Sequence, residues 1–161
     1  MIQTPVPSGM DIREVLEAIL GRDVTAKTSG VMVDPSMSPG ALVGVWKDRG
    51  LRMAAIMAFD LELAARLGAA IALVPAGGAE AAVEDGELPD SLLENASEIM
   101  NVSSSLFNGE GVPHLSLDKV YAPNELLPGD VAGRIMTFAR RNDLDVDVKG
   151  YGTGKMSVLV L

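Results

Sequence analysis

The chain has 161 residues, 48% of them apolar and only 4% aromatic, and carries a formal net charge of −9 from 13 Lys and Arg against 22 Asp and Glu. That length supports one domain with an aliphatic core and does not require two. The negative balance disfavours nucleic acid or an anionic membrane as a partner held by bulk electrostatics.

Cysteine is absent, which excludes a disulfide framework, thiolate zinc and a cysteine nucleophile, and suits a reducing compartment. Residues 1–9 carry neither a basic region nor an apolar run, so no signal peptide is expected. The most apolar stretch, 61–76, is interrupted by Glu62 and Arg66 and is too short to cross a bilayer. A soluble, cytoplasmic domain is the expectation.

In chain order, residues 1–8 are Pro-rich and read as a flexible, extended lead-in. Asp11 reads as a helix N-cap, with Glu14 three residues on completing a capping box. Ile12, Val15, Leu16, Ile19 and Leu20 follow at helical spacing, and Gly21 suits the C-terminal cap. Three strand candidates come next, over 24–33, 41–47 and 51–59. Asp48-Arg49-Gly50 turns the last two into a hairpin, and an antiparallel meander is the natural arrangement of all three. Asp60 then caps a helix rich in small residues (Ala64, Ala65, Gly68, Ala69, Ala70, Ala72), a pattern that allows close packing or a homodimer.

Residues 79–87 are acidic and Ala-rich and read as a mobile connection. Asp90 or Ser91 caps a central helix over 92–107. A strand over 114–121, a loop over 123–128 and a short helix over 130–141 follow, the last weakened by Gly133. Two closing strands, 144–149 and 155–161, are joined by Gly150-Tyr151-Gly152-Thr153-Gly154. The pattern predicts an α+β domain, a mainly antiparallel sheet with long helices packed on one side.

Several chemistry-bearing patterns dissolve on inspection. Gly150 to Lys155 lacks the spacing of a phosphate loop, and a strand rather than a helix follows. Asp143, Asp145 and Asp147 have the first spacings of a calcium loop, but Val148 replaces the required glycine and Gly154 the closing glutamate. Their alternation with Leu144, Val146 and Val148 reads as a strand with one solvated face. His114, the sole histidine, has no Cys or second His with which to bind zinc. Ser103-Ser104-Ser105 has no neighbouring base to activate a nucleophile. The sequons at Asn95 and Asn101 fall inside the central helix. No metal site is expected.

The central helix remains. Glu94, Glu98, Asn101 and Ser105 recur at steps of four, three and four and lie in one row on a regular helix. The plain reading is the solvated face of an amphipathic helix. The chemical reading is that an asparagine can hold a water in line for attack while a nearby carboxylate pairs with a cation on a partner.

At this helix the sequence resembles the CheC/CheX/FliY family of response-regulator phosphatases. The family pattern is Asp or Ser, three residues, Glu, two residues, Asn, then a proline some twenty-odd residues on. Glu98-Ile99-Met100-Asn101 matches its core within Ala96-Ser97-Glu98-Ile99-Met100-Asn101. The order of elements follows the family over nearly the whole length, most like the CheX branch, and implies a single CheX-like domain over 9–161. Glu94 stands at the Asp/Ser position, Pro123 falls one residue short of the usual proline, and the helix after Asp60 carries no second Glu-X-X-Asn.

The resemblance implies that the substrate is the aspartyl phosphate of a CheY-like receiver domain. Glu98 pairs with the receiver's lysine and Asn101 orients the attacking water. Glu94, Ser97 and Ser105 support the contact. No cofactor is bound by this chain, since the receiver brings its own Mg2+. Relatives on the same fold also imply an alternative, a non-catalytic response-regulator or flagellar and chemotaxis-type binding module. A homodimer is compatible with either.

Overall fold

The computed structural model describes residues 2–138 and 140–161. Met1, in the expected lead-in, and Ala139, within the expected helix 130–141, lie outside them. The elements are α1 (Gly9–Leu20), β1 (Val24–Thr28), β2 (Ala41–Lys47), β3 (Met53–Asp60), α2 (Leu61–Ile71), α3 (Ala76–Asp85), α4 (Asp90–Val102), a 3-10 turn (Ser103–Phe107), β4 (Ser116–Tyr121), α5 (Gly129–Ile135), β5 (Arg141–Val148) and β6 (Gly152–Val160).

Helix α1 starts one turn earlier than Asp11. Ser8 Oγ accepts the Asp11 N–H at 3.1 Å while the Asp11 carboxylate accepts the Ser8 N–H at 3.0 Å. Asp11 is thus the far half of the capping box rather than its first residue. Gly21 closes the helix at φ 66°. Asp60 caps α2 as expected, accepting the Leu63 N–H at 2.8 Å. Burial, partly offset by that bond, pushes its carboxyl above the ordinary value. The expected mobile connection over 79–87 is instead mostly helix α3. Alanine is the best helix former, and Ala79 and Ala82 bury a small face against Ala65 and Ala69 of α2. The lead-in is fastened at several points: Ile2 N–H donates to Gly111 O, and Arg140 and Asn142 donate to Thr4 O and Pro7 O.

The sheet has six strands in the order β1-β5-β6-β3-β2-β4, every pair antiparallel. The expected three-strand meander is therefore wrong for β1. β2 and β3 do form the hairpin, held by the Asp48 turn, but β1 pairs with β5, Val24 opposite Val148. The long Pro-containing connection 29–40 frees β1 from its sequence neighbour.

The order hides an internal symmetry. α1-β1-β2-β3 and α4-β4-β5-β6 are two copies of one plan, each a helix, a strand and a hairpin. The first strand of each copy lies against the other copy's hairpin, and β3 and β6 meet in the middle. The two halves are interlocked, so neither contains a complete sheet edge to edge.

One face of the sheet (Leu42, Trp46, Met57, Phe59, Leu144, Val146, Met156, Val158) packs against α1, α2 and α4, with α3 lying on α2. The other (Val43, Val45, Ile56, Ala58, Leu159) is covered by Val131 and Ile135 of α5. The α+β prediction with long helices on one side holds. The small residues of α2 are consumed within the chain. A Cβ on Gly68 would lie 2.6 Å from Leu92 O of α4, and one on Gly154 of β6 would lie 2.5 Å from Leu63 N of α2. Close helix packing, not phosphate binding, explains that last glycine.

The acidic face expected on β5 is only partly solvated. Asp143 and Arg141 have side chains 8% and 7% exposed, 2.8 Å apart. Arg141 also donates to Ile135 O and Thr137 O after α5, and Ser157 Oγ donates to Asp143 at 2.6 Å. Burial raises the Asp143 carboxyl, but the bonds from Arg141 and Ser157 and the guanidinium charge outweigh it and hold the group below its ordinary value. Asp145 accepts from Lys155 and Asp147 from Thr153.

Candidate functional site

Helix α4 is anchored from below at three places. Asn95 Nδ2 donates to Gly68 O of α2 at 3.0 Å. Met100 sits on Gly44 of β2, where a Cβ would lie 2.8 Å from its sulfur. Just past the helix, Trp46 Nε1 donates to Ser104 Oγ at 2.8 Å, with the Trp46 ring edge-on to Phe107, centroids 5.0 Å apart. Leu92, Ala96, Ile99 and Met100 are buried. A helix held this way presents its outer face in a fixed orientation.

That outer face carries Glu94, Glu98 and Asn101, all exposed. Among the described residues none of the three side chains makes a hydrogen bond or ion pair. The expected row of four does not survive intact. The α-helix ends at Val102 and tightens to a 3-10 turn, which changes the angular step per residue and turns Ser105 toward α1. There it lines a hollow of about 410 Å3 with Asp11, Glu14, Val15, Ala18 and Leu106. Ser97 is also apart, because its hydroxyl donates to Leu93 O one turn back. Val102 is 46% exposed beside Asn101.

The serine run is structural. Ser103 Oγ donates to Ile99 O at 2.7 Å, and Ser104 holds the tryptophan. The Trp46–Ser104 bond has no local sequence signal, since the partners stand 58 residues apart. His114 is exposed before β4, in a surface hollow with Asp48, Arg49 and Arg52. Among the described residues no three His, Asp or Glu side chains gather as metal ligands, and no helix is long and apolar enough to cross a membrane.

The symmetry identifies α1, not the helix after Asp60, as the counterpart of α4. Setting the buried Leu16 and Leu20 of α1 in register with the buried Ala96 and Met100 of α4 aligns Ala18 and Gly21 with Glu98 and Asn101 in sequence. The Glu-X-X-Asn pair is thus present in one half only.

The charge is just as unevenly placed. Residues 67–118 contain Glu80, Glu84, Asp85, Glu87, Asp90, Glu94, Glu98, Glu110 and Asp118 and no Lys or Arg, while acids and bases elsewhere balance. Glu80 pairs with Arg66 and Asp118 with Lys47. The other seven are exposed and unpaired among the described residues. The whole net charge therefore sits on α3, α4 and the segments after them.

No protein-family model matches the sequence, and no curated protein sequence matches it significantly. Solved structures do match the fold. A chain of the FliM–SpeE complex from H. pylori aligns with a TM-score of 0.62 and 9% identity over 94% of this chain and 80% of that one. The FliM middle domain of Vibrio alginolyticus aligns at 0.51, with 13% identity over 93% and 86%. A chain of the FliG–FliM complex from H. pylori aligns at 0.51, with 12% identity over 93% and 84%. The chain has the α+β fold of FliM middle domains.

Proposed function

We propose that this chain is a protein-docking domain of the flagellar-switch and chemotaxis type, meeting its partner on the outer face of α4. The observation that carries this reading is a rigidly anchored helix whose exposed Glu94, Glu98 and Asn101 have no partner in their own chain. Solved chains of this fold occur in complexes with proteins, SpeE and FliG by name, which supports a protein as the occupant. The partner proposed is a CheY-like receiver domain, and the chain would act in the cytoplasm. The uncompensated charge of α3 and α4 favours association with a basic docking surface and makes the on-rate fall with salt.

A finer reading is favoured by one further observation: Glu98 and Asn101 are both free and one turn apart. On this reading the domain hydrolyses the receiver's aspartyl phosphate. Glu98 would pair with the receiver's lysine and seat the helix. The Asn101 amide would hold a water in line with the phosphorus, opposite the aspartyl oxygen. The leaving carboxylate and the Mg2+ beside it belong to the receiver, so this chain contributes positioning alone.

One experiment separates the two. The protein is mixed with a phosphorylated receiver, and both binding and phosphate release are followed. A docking domain binds in either phosphorylation state without changing the rate of phosphate loss, and Glu98→Ala weakens the complex. A phosphatase accelerates release, and Asn101→Ala removes most of the acceleration while binding persists. If neither substitution alters binding or release, α4 is not the site.

A further inference from the structure

We propose that a trough running from α5 to the start of α4 is a docking site for an extended basic segment of a partner protein, one with apolar side chains among its Lys and Arg. Two hollows adjoin there, of about 510 and 230 Å3, and they share Pro123 and Asn124. The same two loops border both. The loop before β2 gives Asp34 and Pro35 to the larger hollow and Pro39 to the smaller. The loop after β4 gives residues 123–127 to the first and 122–124 to the second. Gly40 lets the two loops touch, since any side chain there would meet the Pro123 carbonyl. The trough is separate from Glu94, Glu98 and Asn101 and does not rest on what they bind.

The lining selects the occupant. Its floor is apolar, with Leu127, Ile135 and Met136 in the larger hollow and Leu88 and Leu93 in the smaller. Leu126 stands 95% exposed at the rim. Among the described residues every charged side chain of the lining is an acid: Asp34 and Glu125 at the first hollow, Glu87 and Asp90 at the second. Glu125 has a distant partner in Lys119, 3.8 Å away. The Asp34 carboxylate accepts from Ser36, a neutral group. Glu87 and Asp90 are exposed and, among the described residues, unpaired. Free carboxylates around an apolar floor are complementary to a chain that mixes positive and apolar side chains. Hollows of these volumes admit side chains of an extended segment, whereas a rigid folded surface would reach only their rims. The same carboxylates repel nucleic acid and anionic lipid.

The test is fluorescence anisotropy with three labelled synthetic peptides of equal length at physiological ionic strength: Leu among Lys, Ser among Lys, and Leu among Glu. The first is expected to bind, and the other two much more weakly or not at all. Glu87→Lys should weaken the Leu–Lys peptide by about five- to tenfold. Glu110→Lys makes the same change of net charge at an exposed position outside both hollows and should leave binding nearly unchanged. Leu126→Ser should weaken it by about fivefold, while Leu73→Ser, 72% exposed at the end of α2, should not. No binding of the Leu–Lys peptide overturns the proposal, as does equal binding of the Ser–Lys peptide, which would reduce the effect to charge alone. Equal weakening by Glu110→Lys or Leu73→Ser overturns it too. So does equal weakening by Glu98→Ala, which would put the peptide on the outer face of α4. The assay contains no receiver, so failure here is distinct from failure of the α4 reading.

Discussion

Gly68→Ala tests the contact that sets the position of α4. Two effects oppose each other. Replacing a mid-helix glycine by alanine favours a helix by about 0.5–1 kcal/mol. Against this, the new Cβ would lie 2.6 Å from Leu92 O and 3.2 Å from Leu92 C and Cα, whereas unstrained carbon contacts run about 3.5–4.0 Å. The obstacle is backbone in the first turn of α4 and cannot rotate aside. Overpacking of this kind costs about 1–3 kcal/mol, and displacing α4 also loosens the Asn95–Gly68 hydrogen bond, worth about 1 kcal/mol. The contact wins, and the expected net loss is about 1–3 kcal/mol. Gly133→Ala is the internal control: it lies in α5 with nothing within 4 Å of the added carbon, and should gain about 0.5–1 kcal/mol. Urea denaturation followed by the fluorescence of buried Trp46 reads both. If Gly68→Ala stabilises as Gly133→Ala does, α4 does not lie against α2 at this distance and the account of its anchoring fails.

Asp143→Ala should cost about 3 kcal/mol at neutral pH, because it leaves the Arg141 guanidinium buried without its charge partner. The double variant with Arg141→Met should cost less than the sum of the single changes, as measured in a denaturation cycle. The folded carboxyl is held below its ordinary value. Its stabilising contribution is therefore complete above the unfolded value of about 3.9 and is lost as pH falls through the lower folded one. Wild-type and Asp143→Ala stabilities should converge only in that acid window. Ser104→Ala should cost about 1–3 kcal/mol by thermal denaturation, since it leaves the Trp46 N–H without an acceptor. Ser105→Ala, next in the run, should stay within about 0.5 kcal/mol. Glu98→Ala and Asn101→Ala should likewise leave stability within about 0.5 kcal/mol while altering partner binding or phosphate release.

Much of the molecule was legible locally. Strand β2 lies where its compact apolar run says, and Asp60, Gly21 and the Asp48 turn punctuate the chain as their side chains and backbone preferences require. Helix α3 is not signalled by periodicity because its acidic, Ala-rich sequence has few apolar residues, although its helix propensity is high and Ala79 and Ala82 fit against Ala65 and Ala69 of α2. The capping box was shifted by three residues because both Ser8 and Asp11 can start one, and only the backbone path chooses. The row on α4 was overdrawn for a related reason. Helical steps project a straight stripe, but the Trp46 indole and the Phe107 ring seat residues 103–107 as a tighter turn, taking Ser105 out of line.

Caps, turns and periodicity act over a few residues, and they suffice for the class of the domain, most of its elements, and Glu98 and Asn101 as neighbours on one helix. Packing between distant segments sets the rest: β1 joins β5, α1 is the counterpart of α4, and Ala64, Ala65, Gly68, Ala69 and Ala70 of α2 face inward. The folded arrangement leaves Glu98 and Asn101 exposed and, among the described residues, unpaired, with the Ser97 hydroxyl turned to Leu93 O and Ser105 beside α1. Those outcomes depend on contacts between segments distant in sequence, where burial and close packing rather than local preference set the arrangement.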